Sequence, residues 1–138
     1  MHPAVQLLRE LIALPSVNPA FLAHNHPFAG EQRVAGFIAA TAAQAGLDIE
    51  VQEVLPQRSN VLARLTPPGP VHQRIVLAPH MDTVGGDDPS LFQPRIANGK
   101  VHGRGACDTK GSVACMLTAM ESLTRSSHRP RRIAMRVS

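Results

Sequence analysis

The chain has 138 residues, 43% hydrophobic and 17% charged, which suits one globular domain with its own core and argues against a disordered tract. No apolar run approaches the ~20 residues that cross a bilayer, and Met1-His2-Pro3-Ala4-Val5-Gln6 lacks the basic-then-apolar pattern of a secretion signal, so a cytoplasmic location and no membrane partner are expected. The net charge of +4 gathers near the end of the chain, where Arg125, Arg129, Arg131, Arg132 and Arg136 cluster with His128; this reads as a solvated loop or as a nucleic-acid surface, and the absence of Trp and Tyr favours the first, with no nucleic-acid partner.

Pro3 to Leu14 reads as a helix, with Pro3 in its first turn, Val5, Leu8, Leu11 and Ile12 on one face, and Pro15 as its stop. Ser16 to Gly30, with Pro19, Pro27 and Gly30, reads as a loop. A second helix is expected from Glu31 to Ala45, striped by Val34, Phe37, Ile38, Ala42 and Ala45 and ended at Gly46. Asp48 to Val54 alternates as a half-buried or edge strand, and Asn60 to Leu65 is a second strand. Pro67-Pro68-Gly69-Pro70 makes a surface turn. Arg74 to Ala78, with Ile75, Val76 and Leu77 at its centre, reads as a strand covered on both faces.

Pro79 to Asp108 is a loop rich in Gly, Pro and Asp, within which Arg95-Ile96 and Lys100-Val101-His102 pair across Asn98-Gly99. Thr109 to Leu123 is a third helix, buried through Val113, Met116, Leu117, Met120 and Leu123, and Arg132 to Val137 is a last strand. Helices alternating with apolar strands predict an α/β domain with a mixed, mostly parallel sheet and helices on both faces. In such sheets ligands gather beyond the carboxyl ends of strands.

Two polar groups fall there. His80 and Asp82 follow the third strand two positions apart, so in extended backbone they project to one side. Imidazole is a good zinc ligand, and a carboxylate on its other nitrogen fixes the tautomer; the pair reads equally as a hydrogen-bonded turn. Asp108, after the glycines of Gly103-Arg104-Gly105, precedes the third helix as an N-cap or as a carboxylate aimed at cations, able to bridge two metals. Weaker candidates are His24 and His26 as a metal pair, and Cys107 as a thiol nucleophile with His80 or His102 as base. Cys115 reads as core, and two cysteines are too few for a disulfide framework.

Taken together, Leu77-Ala78-Pro79-His80-Met81-Asp82-Thr83-Val84, the spacer, and Gly103-Arg104-Gly105-Ala106-Cys107-Asp108-Thr109-Lys110-Gly111 resemble the paired signature of a metallohydrolase superfamily. It contains acetylornithine deacetylase, succinyl-diaminopimelate desuccinylase, aminoacylase and glutamate carboxypeptidase. Asp88-Pro89, Leu91-Phe92, Asn98 to His102 and Leu14 to Pro19 also follow its pattern.

The resemblance implies a dinuclear zinc exopeptidase-like catalytic domain holding two Zn2+, with Co2+ or Mn2+ as alternatives. It implies that His80 ligates one zinc, that Asp82 serves catalysis by orienting His80, and that Asp108 bridges both metals. Lys110 and Gly111 receive structural roles. The implied substrate is an N-acyl amino acid, a diamino acid derivative or a small peptide, and the implied whole protein is a homodimer. The superfamily's general base and a further ligand form a Glu-Glu pair after the next strand, and the sequence contains no adjacent Glu-Glu. Residues 1–138 are therefore expected to be an incomplete, N-terminal part of the catalytic domain, inactive alone, with the lid or dimerisation domain and the rest of the site elsewhere. The rival reading is a non-catalytic remnant or a basic nucleic-acid-binding module.

Overall fold

A computed structural model describes residues 1–23, 25–128 and 133–137, the last group as backbone. Helix α1 spans Pro3–Ile12, with Pro3 in its first turn and the His2 ring accepting the Ala4 N–H at 3.2 Å. It stops two residues before the expected Leu14. Helix α2, Gln32–Gln44, is followed by Gly46 at φ +81°, the left-handed conformation in which glycine relieves the clash of a Cβ. Glu31 precedes α2 but does not cap it; its carboxylate turns instead to the Arg58 guanidinium.

Strands β1 (Asp48–Leu55) and β2 (Arg58–Leu65) form an antiparallel pair, with Gln57 at φ +63° in the tight turn between them. Strand β3 is Gln73–Leu77. Strands β4 (Arg95–Ala97) and β5 (Lys100–His102) form the expected hairpin, with both Asn98 and Gly99 at positive φ. Helix α3 is Lys110–Arg125, and strand β6 is Ile133–Val137. Arg132, the expected start of that strand, lies outside the described residues.

The main sheet has the order β1-β2-β6-β3. It is mixed, as expected, but not mostly parallel: β1/β2 and β2/β6 are antiparallel, and β3/β6 is the parallel pair. A two-residue turn can only return a strand antiparallel, whereas β3 and β6 are joined by a long connection carrying α3.

Helices covering both faces also needs correction among the described residues. Leu11 of α1, Val34, Ile38 and Ala42 of α2, and Val113, Leu117 and Met120 of α3 join one core cluster with Val61, Ala63 and Leu65 of β2. Those three alternate residues share one sheet face. Burying a Leu- or Val-sized side chain in such a cluster contributes about 1.5–3 kcal/mol.

Strand β3 is not covered on both faces: Leu77 packs against the cluster, while Ile75 is 36% and Val76 50% exposed. A short apolar run does not reveal how many layers cover it. Cys115 is exposed rather than core. Two positions from Val113 on a helix is a rotation of about 200°, which turns it away from the buried stripe.

Candidate metal centre

The chain leaves β3 at Leu77 and is at once stitched to the segment after α1. Val17 bridges both Thr83 and Ala29 in parallel fashion. The Thr83 N–H donates to Ser16 O and the Asn18 N–H to Thr83 O, both at 2.9 Å, and Ser16 Oγ donates to Met81 O at 2.8 Å. Ser16, Val17 and Thr83 are buried. The residues carrying His80 and Asp82 are thus braced by backbone pairing that ordinary surface loops lack.

His80 and Asp108, 28 positions apart, meet: His80 Nε2 lies 2.9 Å from Asp108 Oδ1. The other ring nitrogen, Nδ1, lies 3.0 Å from the Asp82 carbonyl oxygen and 3.1 Å from Asp82 Oδ1. A carbonyl oxygen only accepts, so Nδ1 carries a hydrogen and Nε2 is the nitrogen left to face Asp108. Between Nε2 and a carboxylate oxygen one positive partner is required, a proton or a metal ion. Burial opposes charging the ring, but the hydrogen bonds to Asp108 and to the Asp82 backbone and the charges of both carboxylates outweigh it, and the His80 pKa is raised.

Sequence pattern overlooked Asn18. Its Nδ2 donates to Asp82 Oδ2 at 2.8 Å, completing a row Asn18–Asp82–His80–Asp108. The only sequence signal was its place within Leu14 to Pro19.

Asp108 does not cap α3. The capping position is Thr109, which makes no side-chain cap bond, and the Asp108 side chain is 80% exposed. Two residues on, Lys110 is 1% exposed, and its Nζ donates to Leu11 O at 2.8 Å and Leu14 O at 2.6 Å. Leu11 lies in the last turn of α1 and Leu14 two residues beyond its end, where the helix dipole favours a cation. Burial, reinforced by the Arg33 charge, lowers the Lys110 pKa to about 8. Gly111 sits where a Cβ would fall 2.5 Å from Ala106 O, so the loop folds tightly onto the helix start. Lys110 and Gly111 therefore do the structural work expected of them.

An imidazole nitrogen and a carboxylate oxygen are the donor types zinc takes, at ~2.0–2.1 Å and ~2.0–2.2 Å; tetrahedral angles then separate the donors by about 3.3 Å. The 2.9 Å observed lies a few tenths of an ångström from that, and the pair fits as part of a zinc site. Among the described residues no group of three or more His, Cys, Asp or Glu converges as a full ligand set. Beside the pair opens a cleft of about 330 Å³, lined by Glu31, Arg58, Asn60, His80, Met81 and Asp82 among others. In it Glu31 holds the guanidinium of the partly exposed Arg58, accepting from Nε at 3.1 Å, and raises its pKa.

Both His80 nitrogens face Asp82 and Asp108, not the exposed Cys107. His26 Nδ1 accepts the Phe28 N–H at 3.2 Å and its ring packs edge-on against Phe28, while His24 lies outside the described residues. Of the basic cluster, Arg125 pairs with Glu121 at 2.6 Å; Arg129, Arg131 and Arg132 lie outside the described residues, as does the side chain of Arg136.

Residues 76–137 match the model of peptidase family M20/M25/M40. A succinyl-diaminopimelate desuccinylase of Methylorubrum extorquens is 32% identical over 138 aligned residues, covering 94% of this chain and 32% of the relative. The chain thus spans about a third of the length of the curated relatives it matches. The fold is shared with the M20 metallo-carboxypeptidase Sso-CP2 of Sulfolobus solfataricus, at TM-score 0.76 and 19% identity over 99% of this chain and 30% of that one. It is shared too with human carnosine dipeptidase 1, at TM-score 0.70 and 22% identity over 98% of this chain and 31% of that one. With the paired His80 and Asp108 motifs, the match over residues 76–137 and the likeness to the desuccinylases support the M20 metallohydrolase superfamily for this chain.

Proposed function

We propose that this chain contributes His80 and Asp108 to a two-zinc centre that hydrolyses amide bonds in N-acyl amino acids or small peptides. The observation that carries the reading is the approach of His80 Nε2 to Asp108 Oδ1 at 2.9 Å, with Asp82 on the opposite ring nitrogen. When bound, zinc lowers the pKa of a coordinated water toward ~7 and polarises the scissile carbonyl. The chain's own residues place the donors. Asp82 holds Nδ1–H and leaves Nε2 for the metal, and Asp108 presents a largely exposed carboxylate with two oxygens, suited to bridging. In this reading the proton acceptor for the water, the remaining ligands and a lid or dimerisation domain come from residues that this sequence does not contain. The whole protein is then a cytoplasmic homodimer.

The test is calorimetric titration of the 138-residue chain with Zn2+, beside turnover of N-succinyl-diaminopimelate. Weak zinc binding that is lost in His80→Ala and Asp108→Asn, without turnover, is expected. Zinc binding indifferent to both substitutions would remove the proposed site, and turnover above blank would show that the chemistry needs no outside residues.

A further inference from the structure

We infer that Asn18 is a positioning residue of this centre: its side-chain amide holds the Asp82 carboxylate, and through it sets the His80 ring so that Nε2 faces Asp108. The inference rests on the reading above in so far as His80 is a metal ligand.

Asn18 has two separate tasks. Its Oδ1 accepts the Ala20 N–H at 3.0 Å and so caps the short 3-10 helix Pro19–Phe21. That leaves Nδ2 as its side-chain donor, directed at Asp82 Oδ2 at 2.8 Å. The backbones are pinned as well, through the Asn18 N–H on Thr83 O at 2.9 Å. Each Asp82 oxygen thus has its own partner, Oδ2 with Asn18 and Oδ1 with the His80 ring at 3.1 Å. The terminal torsion of an Asp side chain is broad, and a single hydrogen bond to the imidazole leaves the carboxylate free to turn. A second bond from a braced segment removes that freedom. A neutral amide does so without a charge that would compete with His80 for the carboxylate.

The two tasks can be separated by substitution. Asn18→Ser keeps a good capping hydroxyl but falls short of Asp82. Asn18→Asp keeps the size and the capping oxygen but sets a like charge against Asp82. The full chain is titrated with Zn2+ alone, and the ring nitrogens of metal-free His80 are read by 15N NMR at a pH where the ring is neutral. Asn18→Ser is expected to weaken zinc binding about tenfold, the lower end for an outer hydrogen-bond partner, and Asn18→Asp by more. The share of Nδ1–H tautomer should fall in both. In an Asp82→Ala background, Asn18→Ser should add nothing, because its route to His80 is gone.

Wild-type zinc affinity and tautomer in a folded Asn18→Ser chain would overturn the inference. So would an equal loss in the Asp82→Ala background, which marks a structural role alone. If the wild-type chain binds no zinc, the proposed function fails, and the tautomer of metal-free His80 still decides for or against Asn18.

Discussion

Asp108 and Lys110 stand two residues apart and live in opposite environments. The Asp108 side chain is 80% exposed and faces His80, while Lys110 is 1% exposed and locked onto the Leu11 and Leu14 carbonyls. The difference teaches how an exposed donor keeps its place. The exposed carboxylate has little packing of its own, so its position is borrowed from the anchored lysine, the close Gly111 contact and the bracing of residues 80–83 against 16–18. Local stability and chemical availability are divided between neighbours.

The sharpest way to separate the two residues is to remove each side of the comparison. His80→Ala should lower zinc affinity more than the ~10–100-fold typical of outer-shell changes, with little change in folding stability because the ring is half exposed. Calorimetry and a thermal melt on one sample measure both. Lys110→Met should reverse the pattern. It leaves Leu11 O and Leu14 O without their donor and should cost about 2–3 kcal/mol of stability, read from the denaturant midpoint.

Two pH effects sharpen the same contrast. The Lys110 pKa is depressed in the fold to about 8, so the unfolded chain binds the extra proton between that value and the ordinary 10.5. Stability should therefore rise with pH across this window, by up to about 3 kcal/mol, and fall as pH drops through about 8. Lys110→Met should flatten that rise relative to wild type in parallel denaturation curves. The smallest effect belongs to His80, whose pKa is raised from 6.5. Its contribution is fully present below 6.5 and lost as pH rises through the higher folded value, and it is screened because the ring is 52% exposed. Asp108→Asn should shrink it, as His80 titration followed by NMR would show.

Much of this was legible in the residues themselves. The three helices and the β4–β5 hairpin lie within two residues of the expected bounds, because periodicity, Pro3, Gly46 and Asn98-Gly99 act locally. His80, Asp82 and Asp108 were legible as donor types with suggestive neighbours. Asn18 was not, since its partner lies 64 positions away and an Asn before Pro reads as turn chemistry. The covering of β3 was misjudged for a related reason: an apolar run looks alike whether one face or two are covered.

Sequence by itself determined where the helices and strands form and which side chains could bind a cation, because those depend on spacing and chemical type over a few residues. Tertiary structure alone decided that His80 and Asp108 meet, that Lys110 is buried while Cys115 is exposed, and that the helix core gathers on one face of a mixed sheet. Those outcomes depend on the path of the chain across long loops, where a contact is set by backbone pairing and burial that no local pattern encodes.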